Sequence, residues 1–561
     1  MITNELQKLV EEAILKTQKG KKLPRFEMPE IVIEKPRTRE KDRGDYASPV
    51  AFKIGKKVKK KPMEVAEILV KSLPESKIIS QVKALKPGFL NFYLSPVFLQ
   101  EQLPKILKQK QDYGRVNIGK DQEVQVEFIS ANPTGPITVG NARGGFAGDT
   151  LANILSFAGY QVSREYYVND YGKQITIFGE SVLRRLLEKE KVKIDFPDYC
   201  YQGDYIKTLA EEAKEELKLE GLSKNSLKDK KLIEKIADWA VSKMKAEAKR
   251  VTEKLGIKFD VWFSEKRLYE EGAVQKVLDF LEKKRLLYKK EGATWLKVKS
   301  LGGPKDEVIL TKDNDETYFL GDIAYHADKF QRGFSKIIVF LGSDHFGHTA
   351  RMAIIPKLFD FRGELKFLVT QFVQLKRNKK TIGISKRKGE IFTLEELVDE
   401  ISLPVARYMF LTKDINSQME LDLALLKERS KKNPVFYVQY AHARMSSILR
   451  KAKQRRLLGT YEDLSNAFFG LLNNDSEVAL MKKLVEFPEI VALISQNLEV
   501  HLLSYYAYSL AEKFSSFYRD CPVISEKKED LRRARLGLVI ASQTVLQNTL
   551  ALMGIEAPEV M

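Results

Sequence analysis

The chain has 561 residues, of which 43% are hydrophobic and 30% are charged, and its formal net charge is +19. This length is too great for one hydrophobic core, so we expect three or four domains. The composition excludes a largely disordered chain, and no stretch predicts a membrane span. The basic excess favours a polyanionic partner, most often nucleic acid, although a solvated or thermophile-type surface accounts for it equally well.

The two cysteines, Cys200 and Cys521, are far apart and form no CxxC pair. This spacing supports neither a disulfide framework nor a cysteine zinc site. The N-terminal segment is charged throughout, which is not typical of a signal peptide. We therefore expect a cytoplasmic protein with no structural zinc and no membrane partner.

Residues 1–110 predict a small α+β module. An amphipathic helix comes first, residues 31–33 are strand-like, and residues 89–94 predict a closing strand. A cationic cluster lies between them, formed by Lys56, Lys57, Lys59, Lys60 and Lys61. Such a cluster is usually a solvated helix face, but in a chain this basic a phosphate-backbone contact is at least as well supported.

A βαβ unit follows the module. Residues 123–129 predict a strand, ANPTGP forms a turn, residues 142–158 predict a helix, and residues 162–168 predict the next strand. This order indicates a parallel, Rossmann-type nucleotide-binding sheet. The charged residues 175–290 predict a helical insertion.

The sheet resumes with the continuous apolar run 337–341, which is typical of a buried parallel strand. The segment GSDHFGH (342–348) follows it, at the edge where such sheets bind ligands. Residues 367–372 are another strand candidate. From residue 394 onward the pattern is almost wholly helical.

Two segments suggest phosphate chemistry. In PTGPITVGN (133–141), Gly135 and Gly140 permit close backbone approach, while Thr138 and Asn141 face one way and can donate to phosphate oxygens. An ordinary βα turn has the same pattern, and such turns are common. In GISKRKG (383–389), a run of three cationic residues around Lys386 can clamp phosphates.

Other polar residues have two interpretations each. Three of the five histidines, His326, His345 and His348, fall within 23 residues. A zinc site is conceivable, but no cysteine or dense carboxylate set completes it, so we favour polar lining of a nucleotide pocket. Glu127, Tyr318 and Asp322 are candidates for a guanidinium or ammonium pocket, although carboxylates at such spacing are usually only solvated.

The two phosphate-binding candidates resemble the signature segments of a known family. ANPTGPITVGN resembles the HIGH segment of class I aminoacyl-tRNA synthetases, and ISKR resembles their KMSKS loop. More narrowly, the chain is similar to bacterial arginyl-tRNA synthetases almost from end to end. The segments that carry this resemblance are EFISANPTGP, EYYVNDYGKQI, DIAYHADKFQRGF, GSDHFGH, SKRKGEIFTLEEL, NPVFYVQYAHAR, RRARLGLV and GIEAPEVM.

The resemblance implies an α/β multidomain fold with a Rossmann-type parallel-sheet catalytic domain, an N-terminal α+β module and a C-terminal all-helical domain. The implied divisions are 1–112 for the additional tRNA-binding domain, 113–392 for the catalytic domain with its insertion at about 175–290, 393–432 for connector helices, and 433–561 for the anticodon-binding domain.

The resemblance also implies site residues and partners. The implied arginine-binding residues are Glu127, Asn132, Tyr318 and Asp322, and the implied catalytic residues are Thr138, Asn141, Ser385 and Lys386. The implied ATP-binding residues are Pro133, Gly135, Thr138, Gly140, Asn141, Gly342, Asp344, His345 and Lys386. The implied tRNA-binding residues are Lys56, Lys57, Lys59, Lys60, Tyr437, Tyr440 and Arg444. ATP with Mg²⁺, L-arginine and tRNA(Arg) are the expected substrates, and a monomer is the expected state.

Two departures from the family pattern stand out. Thr138 and Asn141 replace both histidines of the HIGH signature, so the turn keeps donors but cannot carry positive charge. Tryptophanyl enzymes resemble the chain in this respect. The second loop has Ile384 in place of methionine and Arg387 in its last place.

Three other interpretations stay open. One is a synthetase-like tRNA-binding protein with weakened or lost catalysis. The second is a small-substrate adenylyltransferase, which would not need the basic module or the long helical domain. The third is a class I synthetase for another amino acid; an apolar one is disfavoured, because unpaired carboxylates such as Glu127 and Asp322 are costly to desolvate.

Overall fold

The structure is a computed structural model that describes residues 1–36, 43–343, 346–377, 380–381, 391–428, 430, 433–457 and 467–561. The strands in chain order are β1 (Tyr46–Ser48), β2 (Ile79–Leu85), β3 (Phe89–Leu94), β4 (Glu123–Glu127), β5 (Gln161–Val168), β6 (Val261–Ser264), β7 (Leu287–Lys290), β8 (Ala293–Leu296), β9 (Glu307–Leu310), β10 (Lys336–Gly342), β11 (Glu364–Thr370), β12 (Val373–Arg377), β13 (Lys380–Thr381) and β14 (Met419–Asp422).

The helices of the first half are α1 (Ile2–Lys19), α2 (Val50–Val58), α3 (Pro62–Val70), α4 (Pro96–Gln109), α5 (Ala142–Phe157), α6 (Lys173–Lys189), α7 (Asp204–Glu216), α8 (Lys230–Lys254), α9 (Glu265–Glu270) and α10 (Ala273–Lys283). The second half contributes α11 (Tyr318–Gln331), α12 (Phe346–Met352), α13 (Ile355–Leu358), α14 (Leu394–Ile401), α15 (Leu403–Phe410), α16 (Leu423–Leu426), α17 (Pro434–Gln454), α18 (Asp475–Val485), α19 (Phe487–Asn497), α20 (His501–Asp520) and α21 (Glu529–Leu552). Within the described ranges, none of these helices combines the length and apolarity that crossing a membrane requires.

The N-terminal module has the predicted α+β form. Its antiparallel sheet has the order β1-β3-β2, and the apolar side of α1 is buried in the core. The expected strand at 31–33 is absent. Side chains satisfy its carbonyls instead, since Gln7 donates to Ile31 at 2.9 Å and Ser48 donates to Val32 at 2.8 Å. Only Glu34 pairs with the sheet, through a single bridge to Ala47.

The central sheet confirms the predicted parallel architecture. Its strand order is β11-β10-β4-β5-β6, and every neighbouring pair is parallel. From β4 the chain continues to β5 and β6 on one side, and later to β10 and β11 on the other. The carboxyl ends of β4 and β10 therefore meet at the topological switch point, where open α/β sheets bind ligands.

The insertion is only partly helical. Helices α6, α7 and α8 form a separate hydrophobic core, as the sequence predicts. Val261–Ser264, however, is strand β6, which pairs with β5 and completes the central sheet. The short run VWFS is rich in β-branched and aromatic residues, and this local preference outweighs the helical pattern that precedes it. Strands β7, β8 and β9 then form a small antiparallel sheet.

The C-terminal third is helical, as predicted, apart from β14, which pairs in parallel with β12. Its last helix, α21, buries one continuous apolar face that includes Leu536, Leu546 and Leu550. The end of this helix is tied to the catalytic domain by the buried residue Arg407. The Arg407 guanidinium donates to the Asp149 carboxylate at 2.7 Å and to the Met553 carbonyl at 3.1 Å.

Replacing Arg407 by methionine should destabilise the whole chain, because the buried Asp149 carboxylate would lose its direct partner and keep only the Arg164 guanidinium, 4.0 Å away. Breaking a buried pair of this kind costs about 3–5 kcal/mol. Thermal or urea unfolding measures the effect. Arg267→Met is the matched control, since Arg267 forms an exposed i,i+4 pair with Glu271 that should contribute about 0.5 kcal/mol or less. Equal shifts for the two variants would contradict the assignment.

Candidate active site

The turn between β4 and α5, residues 128–141, lies at the switch point of the sheet. Thr138 and Asn141 form a capping box there, in which the Asn141 side-chain oxygen accepts from the Thr138 backbone and from its hydroxyl, both at 3.2 Å. Because the amide oxygen is engaged in this way, the amide nitrogen of Asn141 is the group presented as a donor. The two residues singled out in the sequence are therefore in contact at the start of a helix.

The other predicted residues of this turn differ in exposure. Pro133 and Gly135 are buried, whereas Gly140 is exposed. Gly342 ends β10 on the same edge of the sheet, next to β4. The predicted residues Asp344, His345, Ser385 and Lys386 lie outside the described residues.

The turn is fixed to the chain segment that begins α14. Val139 donates to the Phe392 carbonyl at 3.2 Å, and Leu394 donates to the Ile137 carbonyl at 2.9 Å. Arg143, fully buried in the first turn of α5, holds the opposite side by donating to the Gln371 carbonyl at 3.2 Å. These bonds set the position of the helix start from two directions.

Glu127, at the end of β4, is buried and electrically compensated. Its Oε2 atom contacts the Lys329 ammonium, and the Tyr325 hydroxyl lies 2.9 Å from the same atom. Its Oε1 atom accepts from Ser130 at 3.2 Å. Lys329 is itself completely buried, so this pair stands as one neutral unit beneath the crevice.

Glu165, which lies within β5 opposite Glu127 of β4, is compensated from the end of the same helix. Arg332 donates to it at 2.5 Å, and the Tyr325 hydroxyl lies 2.5 Å away. Burial alone would raise the pKa of Glu165, but Arg332 and Lys329 bring that pKa below its ordinary value. Helix α11 and its C-cap residue Arg332 thus supply cations for two buried carboxylates of the sheet.

Asp322 and Glu265 form the uncompensated part of the pocket. Asp322 contacts the His348 ring at 2.7 Å. Among the described residues, neither carboxylate has a lysine or arginine partner at ion-pair distance. Glu265 is 5% exposed, and its Oε2 atom has no hydrogen-bond partner within the described part of the chain. Burial and the charge of Asp322 raise the pKa of Glu265 to about 8.

Glu265 was missed by the sequence analysis, because its segment was assigned to the helical insertion. The signal that could have found it is its position directly after a strand of the central sheet, β6. The side chain of Tyr167, from the neighbouring strand β5, packs beside it, and the charges of Glu265 and Asp322 raise the pKa of that phenol after burial itself. The carboxylates are therefore close enough to act on one cation.

Tyr318 and Asn132 complete the predicted arginine set. Tyr318 begins α11, one turn before Asp322, and is 65% exposed. Asn132 is exposed in the turn after β4, where it donates to Gln174 at 3.2 Å. Both side chains lie at the accessible carboxyl edge of the sheet.

The histidine interpretation needs a correction. His326 is 3% exposed within α11, and burial, with the nearby charge of Lys329, lowers its pKa to about 3. It is a neutral core residue and does not line a nucleotide pocket. His348 contacts Asp322 instead. In the parts of the chain that the structure describes, no group of histidine, cysteine and acidic residues is arranged to hold a metal.

The predicted tRNA-binding residues lie on two separate surfaces. Lys56, Lys57 and Lys59 are exposed at the end of α2, although Lys57 also donates to the Glu27 carbonyl at 3.0 Å. Lys60 is half-buried and pairs with Glu64. This surface belongs to the N-terminal module.

The second surface lies on the C-terminal helices. The Arg444 guanidinium lies 4.6 Å from the centre of the Tyr440 ring and 4.8 Å from that of Tyr518. Tyr437 packs against Tyr508, with 5.0 Å between ring centres. Exposed aromatic rings beside a guanidinium are suited to stacking on nucleobases. Tyr518 and Tyr508 were not predicted, since their helix lies about 70 residues away in sequence.

Comparison with known proteins agrees with this architecture. The family model for the class I (R) tRNA synthetase catalytic domain matches residues 102–425. The arginyl-tRNA synthetase N-terminal domain matches residues 4–94, and the DALR anticodon-binding domain matches residues 438–561. The fold and the domain organisation are therefore those of a class I aminoacyl-tRNA synthetase.

Individual relatives show which class I synthetases the chain is similar to. An arginine–tRNA ligase of Acetivibrio thermocellus is 40% identical over 100% of this chain and 99% of its own length. A crystal structure titled as an arginyl-tRNA synthetase of Campylobacter jejuni is 32% identical, with a TM-score of 0.75 over 83% of this chain and all of that one. The Thermus thermophilus enzyme shares the fold, with a TM-score of 0.78 at 21% identity and full coverage of both chains. The chain belongs to the arginyl-tRNA synthetase family.

Replacing Glu265 by glutamine should stabilise the ligand-free protein at alkaline pH. A carboxyl whose pKa is raised by folding loses stability as the pH rises from its unfolded value of about 4.5 to about 8. The gain from E265Q should therefore be small near pH 5 and largest near pH 9, as measured by thermal unfolding across this range. Glu270→Gln, an exposed change on the same helix, should give no such trend. A gain that is independent of pH would contradict the buried, uncompensated carboxyl.

Proposed function

We propose that the chain activates L-arginine with ATP and transfers it to tRNA(Arg). The observation that carries this proposal is the uncompensated carboxylate pair, Asp322 and Glu265, at the sheet edge that also holds the Thr138–Asn141 capping box. A cation pocket next to a phosphate-binding turn is what the formation of an aminoacyl-adenylate from a cationic amino acid requires.

The pocket favours guanidinium over ammonium. A guanidinium is planar and presents five donors, so it can bridge two carboxylates and a phenol at once, whereas an ammonium is a compact point charge. Glu265 contributes an unpartnered oxygen, Asp322 a half-buried carboxylate, and Tyr318 an exposed hydroxyl. Binding would also remove the cost of burying Glu265 in its charged form, because the cation neutralises it.

The main-chain end of arginine would lie toward the turn. Asn132 is exposed in that turn, so it would bind the α-ammonium. Glu127, which Lys329 already neutralises, would support the turn from below through its hydrogen bond from Ser130. One arginine carboxylate oxygen would then attack the α-phosphorus of ATP, forming a P–O bond as the bond to pyrophosphate breaks. Positioning and charge stabilisation suffice for such a step, without a covalent enzyme intermediate.

Phosphate binding is assigned to the turn and its neighbours. Asn141 would donate its amide to the α-phosphate, and Thr138 would donate to it by turning its hydroxyl from the Asn141 oxygen to the phosphate. Pro133, Gly135 and Gly140 would shape the turn, and Gly342 would approach the ribose. ATP would enter as its Mg²⁺ complex, so the ion is part of the substrate. The family resemblance implies further contacts with the nucleotide and with pyrophosphate, made by Asp344, His345, Ser385 and Lys386.

Transfer to RNA would complete the reaction. The 2′-hydroxyl of the terminal ribose attacks the arginyl carbonyl, and AMP leaves. The lysines of α2 would contact the tRNA backbone, whereas Tyr437, Tyr440 and Arg444 would contact its anticodon region. A monomer that works in the cytoplasm is the arrangement that the family resemblance implies.

The deciding experiment is an arginylation assay with cognate tRNA, ATP and each of several amino acids. We expect charging with arginine and none with lysine, because lysine lacks the planar fork. Activation of arginine may be followed separately by ATP–pyrophosphate exchange, with and without tRNA. Tight tRNA binding without any charging would instead identify a synthetase-like RNA-binding protein.

Asp322→Asn should weaken arginine binding and leave ATP binding almost unchanged. A charge-assisted hydrogen bond contributes about 1.5–3 kcal/mol, which corresponds to an increase in KM for arginine of about 10- to 200-fold. Steady-state arginylation at varied arginine and varied ATP measures both constants. Asp313→Asn, an exposed change before α11, is the control. Parallel increases in both KM values would indicate general damage to the fold.

Thr138→Ala and Asn141→Ala should each lower kcat, because each removes a donor to the reacting phosphate. The loss of one such donor typically costs about 100-fold or more. Thr138→Ser retains the hydroxyl and the capping bond, so its kcat should remain near that of the parent chain. If T138A and T138S behaved alike in single-turnover assays, the hydroxyl would have no part in the reaction.

A further inference from the structure

One residue of the helical insertion reaches into the turn of the active site. Tyr205 lies in the first turn of α7, and its hydroxyl donates to the Thr134 carbonyl at 2.7 Å. The two residues are 71 positions apart in sequence. Burial raises the pKa of this phenol, so it remains a proton donor at all working pH values. No predicted site residue comes from the insertion.

The ring of Tyr205 is enclosed by two glycines. A Cβ atom on Gly135 would lie 3.0 Å from the phenol oxygen, and one on Gly203 would lie 2.5 Å from a ring carbon. A separation of 2.5 Å is far below van der Waals contact, so Gly203 has to lack a side chain for the ring to occupy this position. Both glycines have buried backbones. The absence of side chains at Gly135 and Gly203 therefore makes room for the Tyr205 ring and its contact with Thr134.

The contact orients one particular peptide group. The peptide between Thr134 and Gly135 is planar and trans, so its C=O and N–H bonds point in opposite directions. Because Tyr205 holds the carbonyl on the insertion side, it also fixes the direction of the Gly135 N–H bond. Gly135 lies in the turn to which phosphate binding is assigned. A rotation of this peptide would change the shape of the turn without changing any side chain.

The insertion is rigid enough to impose this geometry. Helix α7 buries Ile206, Leu209 and Ala213 in the core that it shares with α6 and α8. Helix α8 makes a second, independent contact with the catalytic domain, since Arg250 and Lys254 both pair with Glu395 on α14. The N-cap of α14 is Thr393, which is bridged to Thr138 of the turn. The insertion thus supports the turn directly and through α14.

We propose that Tyr205 is a positioning residue for ATP, which holds the Thr134–Gly135 peptide of the turn in its phosphate-binding orientation. This inference rests on the function proposed above and adds a residue outside the central sheet to it. Tyr205 touches no reacting atom. It acts only through the backbone of the turn, by its bond to the Thr134 carbonyl.

The test compares two variants of the full-length chain that lose the same atom. Tyr205→Phe removes the hydroxyl that bonds Thr134, and Tyr199→Phe removes an exposed hydroxyl that bonds Glu180 at 2.8 Å in the same insertion. For Y205F we expect kcat/KM for ATP to fall about tenfold, which corresponds to about 1.4 kcal/mol. The KM for arginine should stay within about twofold of the parent value, and Y199F should match the parent chain.

A second variant tests the same contact without touching the hydroxyl. Gly203→Ala places a methyl group where the ring now lies, so it should displace Tyr205 and produce the same selective loss toward ATP. The effects of G203A and Y205F should not add in the double variant, because both remove one interaction. Additive effects, or equal losses toward ATP and arginine, would overturn the proposal. So would a Y205F variant with the kinetics of Y199F.

The outcome separates this inference from the proposed function. If T138A and N141A lower kcat while Y205F does not change the kinetics, only the role of Tyr205 is wrong. If the parent chain does not charge tRNA with arginine, the proposed function itself is wrong, whatever the behaviour of Y205F.

Discussion

The charge balance at the carboxyl edge of the central sheet is the constraint on which the site depends. Glu127 ends β4, Glu165 lies opposite it within β5, and Glu265 follows β6. All three carboxyl groups are buried, and a buried carboxylate without a cationic partner loses its hydration at a high cost. The first two are compensated by Lys329 and Arg332, and the third is not. Because Glu265 has no lysine or arginine partner among the described residues, this edge of the sheet can bind a cation.

Helix α11 creates both conditions at once. Residues three and four apart share a face of a helix, so Tyr325, Lys329 and Arg332 point together at Glu127 and Glu165. Asp322 lies one turn earlier, at the open end, and adds a negative charge where the others add positive ones. The same helix thus brings positive charges to Glu127 and Glu165 and a negative charge, Asp322, to the accessible end of the pocket.

The sequence predicted the parts of this arrangement that depend on local pattern. The βαβ unit around β4 and the strand Phe89–Leu94 follow from hydrophobic periodicity, and the shared direction of Thr138 and Asn141 at a helix start follows from their spacing. The pairing of Glu127 with Lys329 joins residues 202 positions apart, and no local pattern encodes it. No local pattern shows that His326 is buried within α11 either. Glu265 could be placed at the pocket only because β6, which precedes it, belongs to the central sheet.

Helix α5 explains why distant domains bear on this edge. The Thr138–Asn141 box directly precedes its first turn, whereas Asp149, two turns into the helix, bonds Arg407, and Asn153 donates to the Leu552 carbonyl at 3.2 Å. The end of the C-terminal helix is therefore bonded to the element whose start shapes the crevice. A helix is stiff along its axis, so its two ends cannot be placed independently of each other. The C-terminal domain consequently restrains the position of the turn through α5, as the insertion does through Tyr205, so two modules outside the central sheet jointly define the site.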